Sequence, residues 1–156
     1  MRILHLLSQT HLTGPEVYVA ALCRRQMADG HDCTIVSDTL SVQTDASYIS
    51  IAIHNRSLIN RLRNIIKLIS LCRDRNIDLI NTHSRAASWI ASVVAKLTGV
   101  AYVSTIHGRQ STRAARRKIS VYGRHIIVVC EHLQEHVRNE LNIADADVRV
   151  IRNGFE

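Results

Sequence analysis

The chain has 156 residues, 46% of them hydrophobic, and a net charge of +7 from 20 basic and 13 acidic residues. That length and apolar content suit a single domain over residues 1–156 with a sizeable core, and exclude a disordered chain. Aromatic residues make up only 4%, which leaves little stacking surface for nucleic acid, so the positive charge points instead to phosphorylated substrates or an anionic membrane surface.

Residues 2–7 form an apolar run of strand length. A polar loop follows, and Thr13-Gly14-Pro15-Glu16 opens a helix, with proline suited to its first turn and glutamate to its positive end. A strand, a glycine loop and a helix N-terminus in that order can hold an anion, because the first helical N–H groups are unpaired. The same residues serve equally well as a turn and cap.

Val17, Ala20, Ala21 and Met27 recur at helical spacing up to Gly30, and residues 31–36 read as a second strand. Residues 48–53 alternate as a third, edge-ward strand. Ser57 caps a helix whose apolar stripe is Leu58, Leu62, Ile65, Ile66, Ile69 and Cys72. Residues 78–83 are a fourth strand, followed by a helix with Ala86, Ala87, Ile90, Val93, Val94 and Leu97 inward and Gly99 at its end. A fifth strand spans 100–106, a loop and helix 109–123, a sixth strand 125–130, a helix 131–141 and a last strand 148–151. Strands alternating with helices predict an α/β fold, a Rossmann-like doubly wound parallel sheet of six to seven strands with helices on both faces.

Parallel strands bring their C-terminal ends to one rim, and ligands bind there in such sheets. Thr10, His11 and Gly14, then His83, Ser84 and Arg85, then His107, Gly108 and Arg109 should meet on that rim. A lone histidine at a strand end usually has a structural role. Two ending separate strands shift the reading toward a site, above all His107 beside a glycine that lets a ligand approach. His132 and His136, four apart on one helix, could share a metal, but their neighbouring glutamates place them on a solvated face, and no metal is expected. No P-loop, G-x-S-x-G or G-x-G-x-x-G is present. Arg109, Arg113, Arg116, Arg117, Lys118 and Arg124 form a stretch without an acidic residue, suited to phosphates or an anionic membrane surface.

Cys23, Cys33, Cys72 and Cys130 form no C-x-x-C pair, as expected of buried thiols in a reducing compartment. The start shows no signal-peptide pattern and no segment has the length to cross a bilayer. A cytoplasmic protein is expected, peripheral on the inner face of the membrane.

Four blocks together resemble the N-terminal half of retaining GT-B glycosyltransferases of family 4: the strand, glycine loop and helix closing in Gly30-His31-Asp32; Asp78-Leu79-Ile80-Asn81-Thr82-His83-Ser84; Thr105-Ile106-His107-Gly108; and Val150-Ile151-Arg152-Asn153-Gly154. The second is similar to the family's D-hydrophobic-hydrophobic-x-x-H-S/T pattern and the fourth to its V-I-P-N-G hinge. The resemblance spans almost the whole chain. It implies an acceptor-side domain, inactive alone, whose donor-binding C-terminal domain is absent from this chain. The implied activity is transfer of a sugar from a nucleotide sugar to a glycan or glycolipid acceptor of a surface polysaccharide or lipopolysaccharide, with retention and without a cofactor. By resemblance, His107 is the catalytic residue; Gly14, Thr13 and Glu16 bind the donor; and His11, His83, Arg85, Gly108, Arg109 and Arg113 bind the acceptor. Pro15 departs from the family's Gly-Gly and removes an N–H from the donor loop. Two rival readings are a sugar-nucleotide epimerase of GT-B architecture and a non-catalytic acceptor- or membrane-binding subunit of a split transferase.

Overall fold

The computed structural model describes residues 1–55, 57–112, 121–141, 143 and 147–154. Its elements are β1 (Arg2–Leu6), α1 (Gly14–Ala28), β2 (Asp32–Ser37), β3 (Ser47–Ser50), α2 (Leu58–Asp74), β4 (Leu79–Thr82), α3 (Arg85–Thr98), β5 (Ala101–Ile106), β6 (His125–Val128), α4 (Glu131–Glu135) and β7 (Asp147–Val150). One π-helical turn, His136–Glu140, extends α4. The strands form one sheet in the order β3-β2-β1-β4-β5-β6-β7, with every neighbouring pair parallel. This is the doubly wound α/β sheet that the alternation of elements predicts.

β1, β4, β5 and β6 are one or two residues shorter than expected, and β2 and β7 keep their expected length but are shifted by one residue. β3 stops at Ser50, although Ile51 and Ile53 stay buried beyond it. Alternation along β1 sorts the core into two layers. Leu4 and Leu6 join Ile80, Leu68, Cys72, Ile90 and Val94 under α2 and α3, whereas Ile3 and Leu7 join Val19, Cys23, Cys33 and Ile35 under α1. A third cluster, Ile106, Ile126, Val128, Leu133 and Val137, closes the β6 and α4 end.

The caps follow the sequence. Ser57 Oγ accepts the Asn60 N–H at 3.2 Å and Ser84 Oγ the Ala87 N–H at 3.2 Å. Gly99 closes α3 in the left-handed region at φ 76°. The helix faces do not all follow. In α1 the buried residues are Glu16, Val19, Ala20 and Cys23, while Val17 and Ala21 face solvent. In α2 the buried face is Asn64, Leu68 and Cys72, flanked by Ile65 and Ile69, and Leu58, Leu62 and Ile66 are exposed. The reason is that α2 carries apolar residues on two faces. The sheet takes the one where Asn64 Nδ2 can also donate to the Ala52 carbonyl at 2.9 Å. Leu97, expected inward on α3, is likewise exposed. Most of the helix expected within 109–123 falls on residues 113–120, outside the described residues.

The assignment of the α2 faces is open to test by denaturation. Leu68→Ala should cost about 2–5 kcal/mol, and Ile66→Ala should stay within about 0.5 kcal/mol of the parent. Equal losses would contradict it.

Candidate functional site

After β1 the chain builds β2 and β3 on one side, then returns to place β4 on the other. The β1/β4 boundary is therefore the point where strand order reverses, the position at which open α/β sheets bind ligands off the strand C-termini. His83 follows β4 and His107 follows β5 on that rim. The N-terminal turn of α1 hangs over them, with the Tyr18 ring edge-on to His107 at 4.9 Å between centroids and 6.0 Å from His83.

The two histidines touch. His83 Nδ1 lies 3.0 Å from His107 Nε2, and His83 Nε2 lies 3.1 Å from Nδ1 of a third, His5. His5 sits one residue before the end of β1 on the α1 face, fully buried, with Nε2 2.8 Å from Gln26 Oε1. Burial lowers the pKa of His5 to about 4 and that of His107 to about 4, and takes His83 well below the ordinary imidazole value. All three rings are neutral at physiological pH. Beside them Thr105 Oγ1 donates to Asn81 Oδ1 at 2.9 Å, joining β5 to β4.

His107 and Gly108 lie partly open on the rim, and no atom stands within 4 Å of where a side chain on Gly108 would begin. Gly14 is exposed and equally open. Thr13 Oγ1 is buried and makes no hydrogen bond among the described residues. The donor capacity of this helix end is small: Pro15 has no N–H, and the Glu16 and Val17 N–H groups both return to the Thr13 carbonyl at 3.1 and 3.3 Å. Glu16 turns into the fold. Its buried carboxylate accepts the Ser41 and Val42 N–H groups and anchors the loop after β2.

His83 is buried, so it meets the rim only through His107. His11 is exposed on the first loop beside Thr10. Arg85 Nη1 donates to the Ser111 carbonyl at 2.9 Å, and Arg109 pairs with Glu140 at 2.6 Å and with His132 at 3.2 Å. These cations therefore brace the loop after β5 as well as lining it. Arg113, Arg116, Arg117 and Lys118 lie outside the described residues. His136 corrects an expectation. It is buried rather than solvated, because its Nε2 accepts the Gln110 N–H at 3.0 Å while its Nδ1 lies 3.2 Å from Glu140.

His5, Gln26 and Tyr18 escaped sequence reasoning. The signal for His5 was a polar residue inside an otherwise apolar strand. His5, Cys23 and Cys33 also bring ligand atoms within 4.8 Å of one another. Burial raises both thiol pKa values, and both His5 nitrogens are engaged, so this cluster is built as a protonated core rather than as a set of metal ligands.

The profile of Glycosyltransferase Family 4 matches residues 12–156. Over 133 residues the chain is 25% identical to the UDP-Gal:alpha-D-GlcNAc-diphosphoundecaprenol alpha-1,3-galactosyltransferase of Escherichia coli, a match covering 78% of this chain and 34% of that protein. In fold it is similar to a glycosyltransferase from Rickettsia africae, with TM-score 0.80, 18% identity, and 99% of this chain and 43% of that one covered. It is also similar to HepE of Anabaena, solved with UDP and glucose, with TM-score 0.72, 13% identity, and 100% of this chain and 45% of that one covered. The chain thus spans about a third of the curated relative and under half of each solved one.

Neutral burial of the rings sets a pH dependence. Unfolded histidines take up protons below about 6.5, whereas His5 and His107 in the fold do so only near about 4. Across that window the unfolded state binds more protons, so stability falls as pH falls. The Tm should decline between about 6.5 and about 4, with an onset above the carboxylate range. A Tm that holds constant until carboxylates titrate would contradict this.

Proposed function

Since this chain belongs to Glycosyltransferase Family 4, we propose that the protein transfers a sugar from a nucleotide-sugar donor to a glycan or glycolipid acceptor, with retained anomeric configuration. One observation carries this reading. The open His107-Gly108 corner lies under the N-terminal turn of α1, beside the point where strand order reverses. This chain is the acceptor-side half, and a second domain, supplied by residues beyond it, holds most of the nucleotide. The Gly14 N–H meets the donor diphosphate, His107 meets the transferred sugar, and Arg85 and Arg109 face the acceptor. In the reaction the bond from the anomeric carbon to the diphosphate breaks. The acceptor oxygen then bonds that carbon, and its proton leaves with the diphosphate, whose charge positive groups stabilise as it develops. No metal or cofactor is required in this scheme.

The lipid side of the reading rests on α2. Among the described residues no helix is long and apolar enough to cross a membrane. Yet Leu58, Ile59, Leu62 and Ile66 are 76%, 69%, 62% and 68% exposed. Residues 58–73 hold Arg61, Arg63, Lys67 and Arg73 and no acid, and Arg61 lies over the Trp89 ring at 5.4 Å. A face both apolar and cationic complements an anionic bilayer, whereas a second copy would set cation against cation. Helices return antiparallel to their strands, so the N-terminal turns of α2 lie at the same end of the sheet as His107. Docking there would bring the corner to the headgroup plane from the cytoplasmic side. The Escherichia coli relative is named for an acceptor on diphosphoundecaprenol, an acceptor of this kind.

In the full-length protein given UDP-sugars and a lipid-diphosphate-linked GlcNAc acceptor, His107→Ala should lower turnover by about 10²-fold or more. Release of free epimerised sugar without acceptor would favour the epimerase reading instead. Vesicles containing phosphatidylglycerol should bind the protein and neutral ones should not, and Leu62→Glu with Ile66→Glu should abolish binding. Binding that survives those changes, or a dimer that they dissociate, would overturn the membrane assignment.

A further inference from the structure

We propose that Gln26, His5 and His83 are positioning residues that fix the tautomer of His107, so that its Nδ1 is a hydrogen-bond acceptor selective for a hydroxyl group of the transferred sugar. The consequence for sugar selection rests on the transferase reading; the relay itself rests on geometry alone.

A neutral imidazole has one N–H and one lone-pair nitrogen, so in a chain of rings each bond dictates the next. The direction is set at the deep end. Gln26 Oε1 is 2.8 Å from His5 Nε2 and 3.4 Å from Cys33 Sγ. Burial keeps the Cys33 thiol protonated, and a thiol is a weak acceptor, so both neighbours donate to the amide oxygen. With its N–H on Nε2, His5 accepts at Nδ1, and His83 must donate from Nε2 across 3.1 Å. His83 then accepts at Nδ1, and His107 donates from Nε2 across 3.0 Å. The lone pair of His107 is therefore on Nδ1. Protonating His5 or His83 would put two donors face to face, and burial holds all three rings below their ordinary pKa.

The relay follows α1. The helix runs antiparallel to the strands, so Gln26, near its C-terminal end, meets His5 deep in the sheet, while Tyr18, near its start, meets His107 at the rim. A neutral acceptor nitrogen bonds a hydroxyl and repels a carboxylate or phosphate. The corner therefore suits an uncharged hexose at that contact rather than a uronic acid.

The test is imidazole ¹⁵N spectroscopy of histidine-labelled full-length protein at neutral pH. His5, His83 and His107 should each report an Nε2–H tautomer. Gln26→Leu should turn His107 into a mixture or into the Nδ1–H form, and Gln26→Glu, which keeps an acceptor oxygen, should restore the single form. Should Gln26→Leu fail to fold, the parent spectrum decides alone. An Nδ1–H tautomer on any of the three rings in the parent, or an unchanged His107 in folded Gln26→Leu, would overturn the relay. Three Nε2–H rings in a protein without transfer activity would leave the relay standing and remove the transferase reading.

Discussion

Three imidazoles in a row beneath a helix can remain buried only if every ring nitrogen has a partner of the opposite kind, because an unsatisfied polar group in that setting costs about 1–3 kcal/mol. Much of this domain is arranged to meet that condition. β1 must carry His5 on the face that α1 covers, β4 must end where His83 can reach it, and β5 must lie next to β4 so that His107 completes the row. The pairing of His5 with Asn81 across the β1–β4 ladder sets the register, and the Thr105–Asn81 bond carries it to β5. A slip of one residue in β1 would turn His5 into the opposite apolar layer, against Leu68 and Ile90.

The sheet order supplies the opening. Because β2 and β4 flank β1, the helices after β1 and β4 diverge to opposite faces and leave the strand ends accessible between them. Among the described residues, few polar groups remain uncommitted at this rim. The helix end has lost donors to Pro15 and to the Thr13 carbonyl, and Glu16 is committed to the loop after β2. Among the described residues, His107 and Gly108 stand at the corner, backed by the relay and bordered by Arg85 and Arg109.

The α2 helix shows a second division of labour. Its Asn64–Leu68–Cys72 face packs on the sheet, while the Leu58–Leu62–Ile66 face stays in contact with solvent, among cations. Isolated exposed leucines are ordinary, but four large aliphatic side chains on consecutive turns of one helix form a patch. Its place at the strand C-terminal end ties it to the same rim as the histidines.

The sequence by itself determined the order of elements, the parallel sheet, the cap at Ser57, the turn at Gly99 and the meeting of the His83 and His107 loops. These follow from local periodicity, from glycine and serine chemistry at helix ends, and from the rule that parallel strands share a rim. It also carried the family, through motifs whose order is readable along the chain. Tertiary structure decided which apolar face of α2 is buried, that His136 is internal, that Glu16 serves a loop, and that His5 and Gln26 stand behind His107. Those outcomes depend on partners 12 to 78 residues away in the chain. A side chain's neighbours at such separations are set by strand order and register, which no local pattern encodes.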